Sequence, residues 1–238
     1  MLLQWEVNKL KRDPKTASRY RNLITNNNPR SPISEAFRTL RTNLQFASLD
    51  NELNTIMVTS ATPQEGKSTI SANLAVVMAQ AGKKTLFIDT DLRKPTVHYT
   101  FGVQNREGLT NLLLSNSRIE TLVQPSDIPN LDILTSGPIP PNPAELLGST
   151  AMGRIIEESA STYDMVIFDT PPLLAVADAQ ILASQLDGVL LVISSGKTKQ
   201  DLAIKAKDLL EKVNAKILGT VLNNRKISDK NFYYYYGN

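Results

Sequence analysis

Ile56-Met57-Val58-Thr59-Ser60-Ala61-Thr62-Pro63-Gln64-Glu65-Gly66-Lys67-Ser68-Thr69 is the stretch on which the reading of the fold turns. Ile56 to Thr59 form an apolar run that reads as a buried strand. Residues 67–81, closed by Gly82, read as a helix. Ala61 to Ser68, between them, match a phosphate-binding loop in the strand-to-helix setting that motif requires. Backbone N–H groups and the positive end of the helix bind phosphate oxygens in such a loop. Gly66 allows close backbone approach, Lys67 is expected to reach the β- and γ-phosphates, and Ser68 is expected on magnesium, with Thr69 beside it. Ala61 departs from the usual first glycine, and a chance Gly-Lys-Ser at a strand–helix junction is the competing explanation.

Two acidic motifs weigh against chance. Leu86-Phe87-Ile88-Asp89-Thr90-Asp91-Leu92-Arg93 is an apolar strand that delivers two carboxylates at its C-terminal end, where open α/β sheets bind ligands. Alternate residues of an extended chain point the same way, so Asp89 and Asp91 are expected to face one site. Val166-Ile167-Phe168-Asp169-Thr170-Pro171-Pro172 repeats the pattern with Asp169, expected to act on the magnesium shell. A single aspartate at such a place is as readily a helix cap or turn residue; three at strand ends beside a phosphate loop are not.

The alternation continues outward. Strands are expected at 85–88, 131–134, 165–168, 189–193 and 217–222, and helices at 108–114, 118–123, 175–186 and 198–213. Asn142-Pro143-Ala144-Glu145 resembles a helix start with an asparagine cap. Another helix is expected from Ser31-Pro32, with Phe37, Leu40, Leu44 and Ala47 as its apolar face. Near-continuous apolar strands separated by helices predict a doubly wound, mostly parallel α/β sheet with helices on both faces, the P-loop NTPase architecture. The breaker run Asn26-Asn27-Asn28-Pro29 divides a flexible basic lead-in, 1–30, from the domain at 31–224; a tyrosine-rich tail occupies 225–238.

Composition bounds the chemistry. The 238 residues, 41% apolar and 21% charged, suit one large soluble domain. There is no cysteine and one histidine, His98, which removes thiolate chemistry and multi-histidine metal sites. A net charge of +3 is too small to argue for nucleic acid. The basic excess lies in Lys9, Lys11, Arg12, Lys15, Arg19 and Arg21, with Arg30. It reads as a solvated arm or as one attracted to an anionic membrane surface. No apolar run reaches the ~20 residues of a bilayer span, and Met1-Leu2-Leu3-Gln4-Trp5-Glu6 is too polar for a signal peptide, so a cytoplasmic location is expected.

Taken together, these motifs resemble the bacterial tyrosine kinases that govern capsule and exopolysaccharide synthesis, members of the MinD-like P-loop class. The resemblance spans about residues 31–238. It also rests on Lys94-Pro95 after the first acidic motif, on Gly137-Pro138-Ile139-Pro140-Pro141-Asn142-Pro143-Ala144-Glu145-Leu146-Leu147, and on Phe232-Tyr233-Tyr234-Tyr235-Tyr236. It implies ATP and magnesium as cofactors, and Lys67, Asp89, Asp91 and Asp169 as catalytic residues, the three aspartates and Ser68 being near the metal. It leaves open which aspartate is the base. Asn223 matches a position that contacts adenine in related folds.

The resemblance further implies that Glu35, Arg38 and Arg41 join subunits into a ring-shaped homo-oligomer. Spacing of three, by itself, equally describes an exposed helix face with internal ion pairs. Tyr233, Tyr234, Tyr235 and Tyr236 are expected to be autophosphorylated, although an aromatic plug or edge strand is the alternative. A membrane adaptor that recruits the chain to the inner face of the membrane, other tyrosine-bearing proteins as substrates and a cognate tyrosine phosphatase are the implied partners. The competing function is a MinD- or ParA-like switch ATPase. Such proteins usually carry a second lysine five residues before the loop lysine, where this chain has Thr62.

Overall fold

The computed structural model describes residues 23–47, 53–115 and 117–225. Residues 1–22 of the expected lead-in, with Lys9, Lys11, Arg12, Lys15, Arg19 and Arg21, and the tyrosine cluster lie outside them. Seven strands form one sheet in the order β3-β4-β2-β5-β1-β6-β7. They are β1 Thr55–Ser60, β2 Thr85–Asp89, β3 Gln124–Pro125, β4 Leu131–Leu134, β5 Met165–Asp169, β6 Gly188–Ser194 and β7 Ile217–Asn223. Every neighbouring pair is parallel except β3 and β4, whose short antiparallel pairing closes one edge.

The apolar runs have a physical cause in this arrangement. All residues of β1, β2 and β5 are buried, because helices cover both faces of a parallel sheet. One face packs on Leu109, Leu112, Met152, Ile155, Leu182 and Leu210. The other packs on the helix that follows the phosphate loop, Lys67–Gln80, which is buried almost all round. That helix is enclosed because a second layer lies outside it. Phe37 and Leu44 of the helix Pro32–Phe46 pack against the same cluster. Ser31 caps that helix as its sequence predicts, its hydroxyl accepting from the Ser34 N–H at 3.1 Å.

Residues 24–27 form a short helix whose Thr25 is buried. The Thr25 N–H and hydroxyl donate to Asn73 Oδ1 at 3.1 and 2.8 Å, and Gln80 donates to its carbonyl at 3.1 Å. The packed part of the chain therefore includes residues ahead of the Asn26–Pro29 break.

Other elements depart from their sequence patterns. The 118–123 segment forms only a 3-10 turn, Ile119–Thr121. The helix expected over 175–186 is shortened to Asp178–Ala183. Its lead-in is used instead behind the phosphate loop, where the N–H groups of Leu173 and Leu174 donate to the carbonyls of Ser60 and Ala61 at 2.9 and 3.2 Å. Asn142 does not cap the helix Pro143–Leu147; its amide donates to Glu145 Oε2 at 2.7 Å. The helices Val97–Phe101 and Thr150–Thr162 were not anticipated. The second has a legible start, Ser149 accepting from the Met152 N–H at 3.3 Å, and buries Met152, Ile155 and Ile156 at helical spacing.

Gly108 and Gly137 fix the loop that begins the proline-rich motif. A Cβ at Gly108 would meet the Thr135 carbonyl at 2.2 Å and the Gly137 nitrogen at 2.5 Å, so two backbones touch there. Gly108→Ala is expected to destabilise the fold by about 1–3 kcal/mol through that clash. Gly153→Ala, in mid-helix with open space around it, is expected to stabilise by about 0.5–1 kcal/mol. Urea titration of both variants checks the pair; equal effects would contradict the packing described.

Candidate active site

The sheet order places β1 between β5 and β6, with β2 beyond β5. Asp89 and Asp169 are directly paired at the ends of β2 and β5, and the phosphate loop leaves β1 at the same edge. Two residues of the loop adopt left-handed backbone, Gln64 at φ 63° and Gly66 at φ 98°. Gly66 is required twice over: by its φ, and because a Cβ there would lie 2.1 Å from Asn223 Nδ2. No side chain caps the helix that starts at Lys67, which leaves its N-terminal N–H groups for a ligand.

Lys67 Nζ lies 3.1 Å from Ser68 Oγ, 3.4 Å from Asp91 Oδ2 and 3.5 Å from Asp169 Oδ1. Burial disfavours the ammonium, but Asp169, Asp91 and Asp89 outweigh it and raise the lysine above its ordinary value. Asp169 Oδ1 also accepts from Ser71 Oγ at 3.2 Å, while its Oδ2 is buried with no hydrogen-bond partner among the described residues.

Both aspartates of the first acidic motif act on Lys67 through their charge, but only Asp91 lines the cavity beside it. The strand ends at Asp89, and the chain then turns, with the Lys94 N–H donating to the Asp91 carbonyl at 3.2 Å. Asp89 is fully buried, and its oxygens accept from the backbone N–H groups of Asp91 at 3.2 Å, Thr96 at 3.1 Å and Val97 at 3.0 Å. It thereby holds the loop and the start of the helix Val97–Phe101. Asp91 instead lines a cavity of about 1040 Å³ together with Gly66, Lys67, Ser68 and Thr69. Burial, followed by the nearby Asp169 charge, pushes Asp89 up to about 8. Asp91 is also raised by burial, against the pull of Lys67.

The far wall of the cavity is built by Arg93, Lys94, Tyr99, Pro138 and Ile139. Arg93 is gripped by Asp178, with Nε to Oδ2 at 2.9 Å and Nη2 to Oδ1 at 3.0 Å. The Asp178 carboxylate is fully buried, and this bidentate fork ties the acidic loop to the helix behind the second motif. Neither Asp178 nor Ser71 was singled out from sequence: each is an isolated polar residue whose partner is remote in the chain.

Asn223 is brought to the site, but its amide donates to the Glu65 carbonyl at 2.9 Å. On the helix Pro32–Phe46, Glu35 and Arg38 pair with each other, and Arg38 also donates to the Pro29 carbonyl at 2.8 Å. Arg41 donates to the Val77 carbonyl at 3.1 Å. Within one chain, these charges therefore serve local contacts, and none of them lines the cavity. Tyr233 to Tyr236 lie outside the described residues.

The residues fit a magnesium nucleotide. The loop offers uncapped N–H groups, Lys67 a cation, Ser68 a hydroxyl, and Asp169 a spare buried oxygen. No three carboxylate or imidazole groups among the described residues form a ready metal cage. Magnesium characteristically takes one or two carboxylates and completes its shell with phosphate and water.

A family model described as an AAA domain matches residues 53–217. Tyrosine-protein kinase YwqD of Bacillus subtilis is 57% identical over 217 residues, covering 91% of this chain and 92% of that protein. Putative tyrosine-protein kinase CapB of Staphylococcus aureus is 44% identical, with coverage of 90% and 95%. The crystal structure of the chimerical protein CapA2B2 superposes with a TM-score of 0.83 at 45% identity, covering 87% of this chain and 93% of that one. The MinD protein of Pyrococcus horikoshii, solved with Mg-ADP, shares the fold at a TM-score of 0.63 and 22% identity, with 76% of each chain covered.

Asp89 supplies a pH test. A carboxyl raised from 3.8 to about 8 by folding favours the folded state most below about pH 4, and that advantage is lost as pH rises towards about 8. In magnesium- and nucleotide-free buffer, the melting temperature is expected to fall between about pH 5 and pH 8. Asp89→Asn, which keeps an acceptor for the loop N–H groups, should flatten the fall. An unchanged slope in the variant would contradict this account of Asp89.

Proposed function

The chain belongs to the bacterial tyrosine-protein kinases, and from that premise we propose that it transfers the γ-phosphoryl group of magnesium-bound ATP to the tyrosines of its own C-terminal cluster, in the control of capsule or exopolysaccharide synthesis. The observation that carries the reading is Lys67 held between Asp91 and Asp169, with Asp91 on the cavity wall.

The roles divide by environment. Loop N–H groups and Lys67 hold the phosphates, and the lysine stabilises the charge that develops on transfer. Ser68 and Asp169 are the residues that would hold magnesium, which would supply positive charge to offset that of the phosphates. A tyrosine hydroxyl has a pKa near ~10 and needs a base to attack well. Asp91 is suited to that task, because it faces the cavity and burial raises its proton affinity. Asp89, with both oxygens on backbone N–H groups, positions the loop. Asp178, through Arg93, does the same from behind.

Residues 226–238 could extend at most ~45 Å from Arg225, enough to enter the cavity of a neighbouring copy. A ring closed through Glu35, Arg38 and Arg41 would present each tail to the next subunit. Each added phosphate brings about −1.5 to −2 charges, which would repel the acidic site and loosen the assembly. No helix among the described residues is long and apolar enough to cross a membrane. In this reading an adaptor protein recruits the chain to the membrane, and a tyrosine phosphatase resets the tail.

The test is the initial rate of phosphotyrosine formation on Tyr233–Tyr236, followed by mass spectrometry. Lys67→Met should abolish it. Asp91→Asn should slow it by about 10²–10⁴-fold, as loss of a general base does, and Asp89→Asn by clearly less. A Lys67→Met chain should still be labelled when mixed with an active chain lacking residues 226–238. Near-normal labelling by Asp91→Asn would overturn the assignment of the base.

A further inference from the structure

Four consecutive carbonyls of the phosphate loop are held from outside. The Thr62 carbonyl accepts from Ser60 Oγ at 2.8 Å. Lys197 Nζ donates to the Gln64 carbonyl at 3.0 Å and lies 3.5 Å from the Pro63 carbonyl. Asn223 Nδ2 donates to the Glu65 carbonyl at 2.9 Å. The donors come from β1, from the turn after β6 and from the end of β7.

A trans peptide points its C=O and the next N–H in opposite directions. Drawing the carbonyls of Pro63, Gln64 and Glu65 towards Lys197 and Asn223 therefore turns the N–H groups of Gln64, Glu65 and Gly66 the other way. Gln64 and Gly66 line the cavity on that other side, whereas neither donor does. We propose that Lys197 and Asn223 are positioning residues that clamp the carbonyl side of the loop, so that its N–H groups stand ready for the phosphates of the nucleotide. The proposal rests on the phosphate-loop reading of residues 61–68.

The clamp is itself anchored. Asn223 pairs with Ser194 across β6 and β7; its carbonyl accepts from the Ser195 N–H at 2.8 Å, and Asn224 donates to Ser194 Oγ at 2.9 Å. Lys197 sits in a turn closed by its own N–H on the Ser194 carbonyl at 3.1 Å and by the Ser194 N–H on Thr198 Oγ1 at 3.0 Å. From within the loop, the buried Glu65 carboxylate accepts from the Thr62 N–H at 3.0 Å and from its hydroxyl. Asn223 thus acts on the phosphate end of the nucleotide site, a task separate from adenine recognition.

Calorimetric binding of Mg-ATP and of magnesium tripolyphosphate, which has no adenine, separates the two tasks. Lys197→Met and Asn223→Ala should each weaken both ligands by about five- to tenfold, the worth of a single hydrogen bond. Lys197→Gln, neutral but still a donor, should recover part of the loss. Tripolyphosphate binding within about twofold of wild type in both variants would overturn the clamp. So would loss of ATP binding alone in Asn223→Ala, which would mark an adenine contact, or equal losses in Lys197→Gln and Lys197→Met, which would mark long-range charge. Lys197 is exposed, so its variants decide the matter even if Asn223→Ala loses the fold. A wild-type chain that binds neither ligand would overturn the phosphate-loop reading along with the clamp.

Discussion

A buried ammonium shared between two carboxylates constrains the rest of this molecule. Lys67 retains 12% side-chain exposure and lies within 3.5 Å of both Asp91 and Asp169. Leaving one member of such a group unpaired costs about 3–5 kcal/mol, so the three chain segments that supply it must arrive together. The order β2-β5-β1 does this: it sets two acidic strand ends beside the strand that feeds the phosphate loop. The sheet, the helix Lys67–Gln80 and the outer layer over that helix are the scaffold for that meeting.

The parts of this arrangement that were legible in the sequence are those written locally. Strand β1, the phosphate loop and its helix are contiguous, and their apolar runs and turn residues carry the whole signal. The acidic strand ends were legible for the same reason, and burial on both faces explains why the strands read as near-continuous apolar runs. What remained hidden depends on partners far away in the chain. The spacing of Asp89 and Asp91 suggested a shared orientation, but the strand stops at Asp89 and the following loop folds its N–H groups back onto that carboxylate. Lys197, Asp178 and Ser71 are ordinary surface-type residues until the fold sets them opposite a carbonyl, a guanidinium or a carboxylate. The helix Thr150–Thr162 carries its own local marks, the Ser149 cap and the spacing of Met152, Ile155 and Ile156.

The fold alone does not decide the chemistry. The MinD protein of Pyrococcus horikoshii shares the fold at 22% identity, whereas the 57% identity with YwqD covers most of both chains. The differences lie in the site. This chain has Thr62 where the switch ATPases usually carry their second lysine, and Thr62 is occupied by the Glu65 carboxylate. Its cavity continues past Lys67 to a wall of Arg93, Tyr99 and Ile139.

A tyrosine kinase passes the phosphoryl group to tyrosine and not to water. A single-turnover reaction of the full chain with γ-labelled ATP and magnesium, quenched over time, follows that group directly. The label should appear on protein as phosphotyrosine while little is released as inorganic phosphate. Label recovered entirely as inorganic phosphate, with none on tyrosine, would contradict the account and leave a switch ATPase in its place.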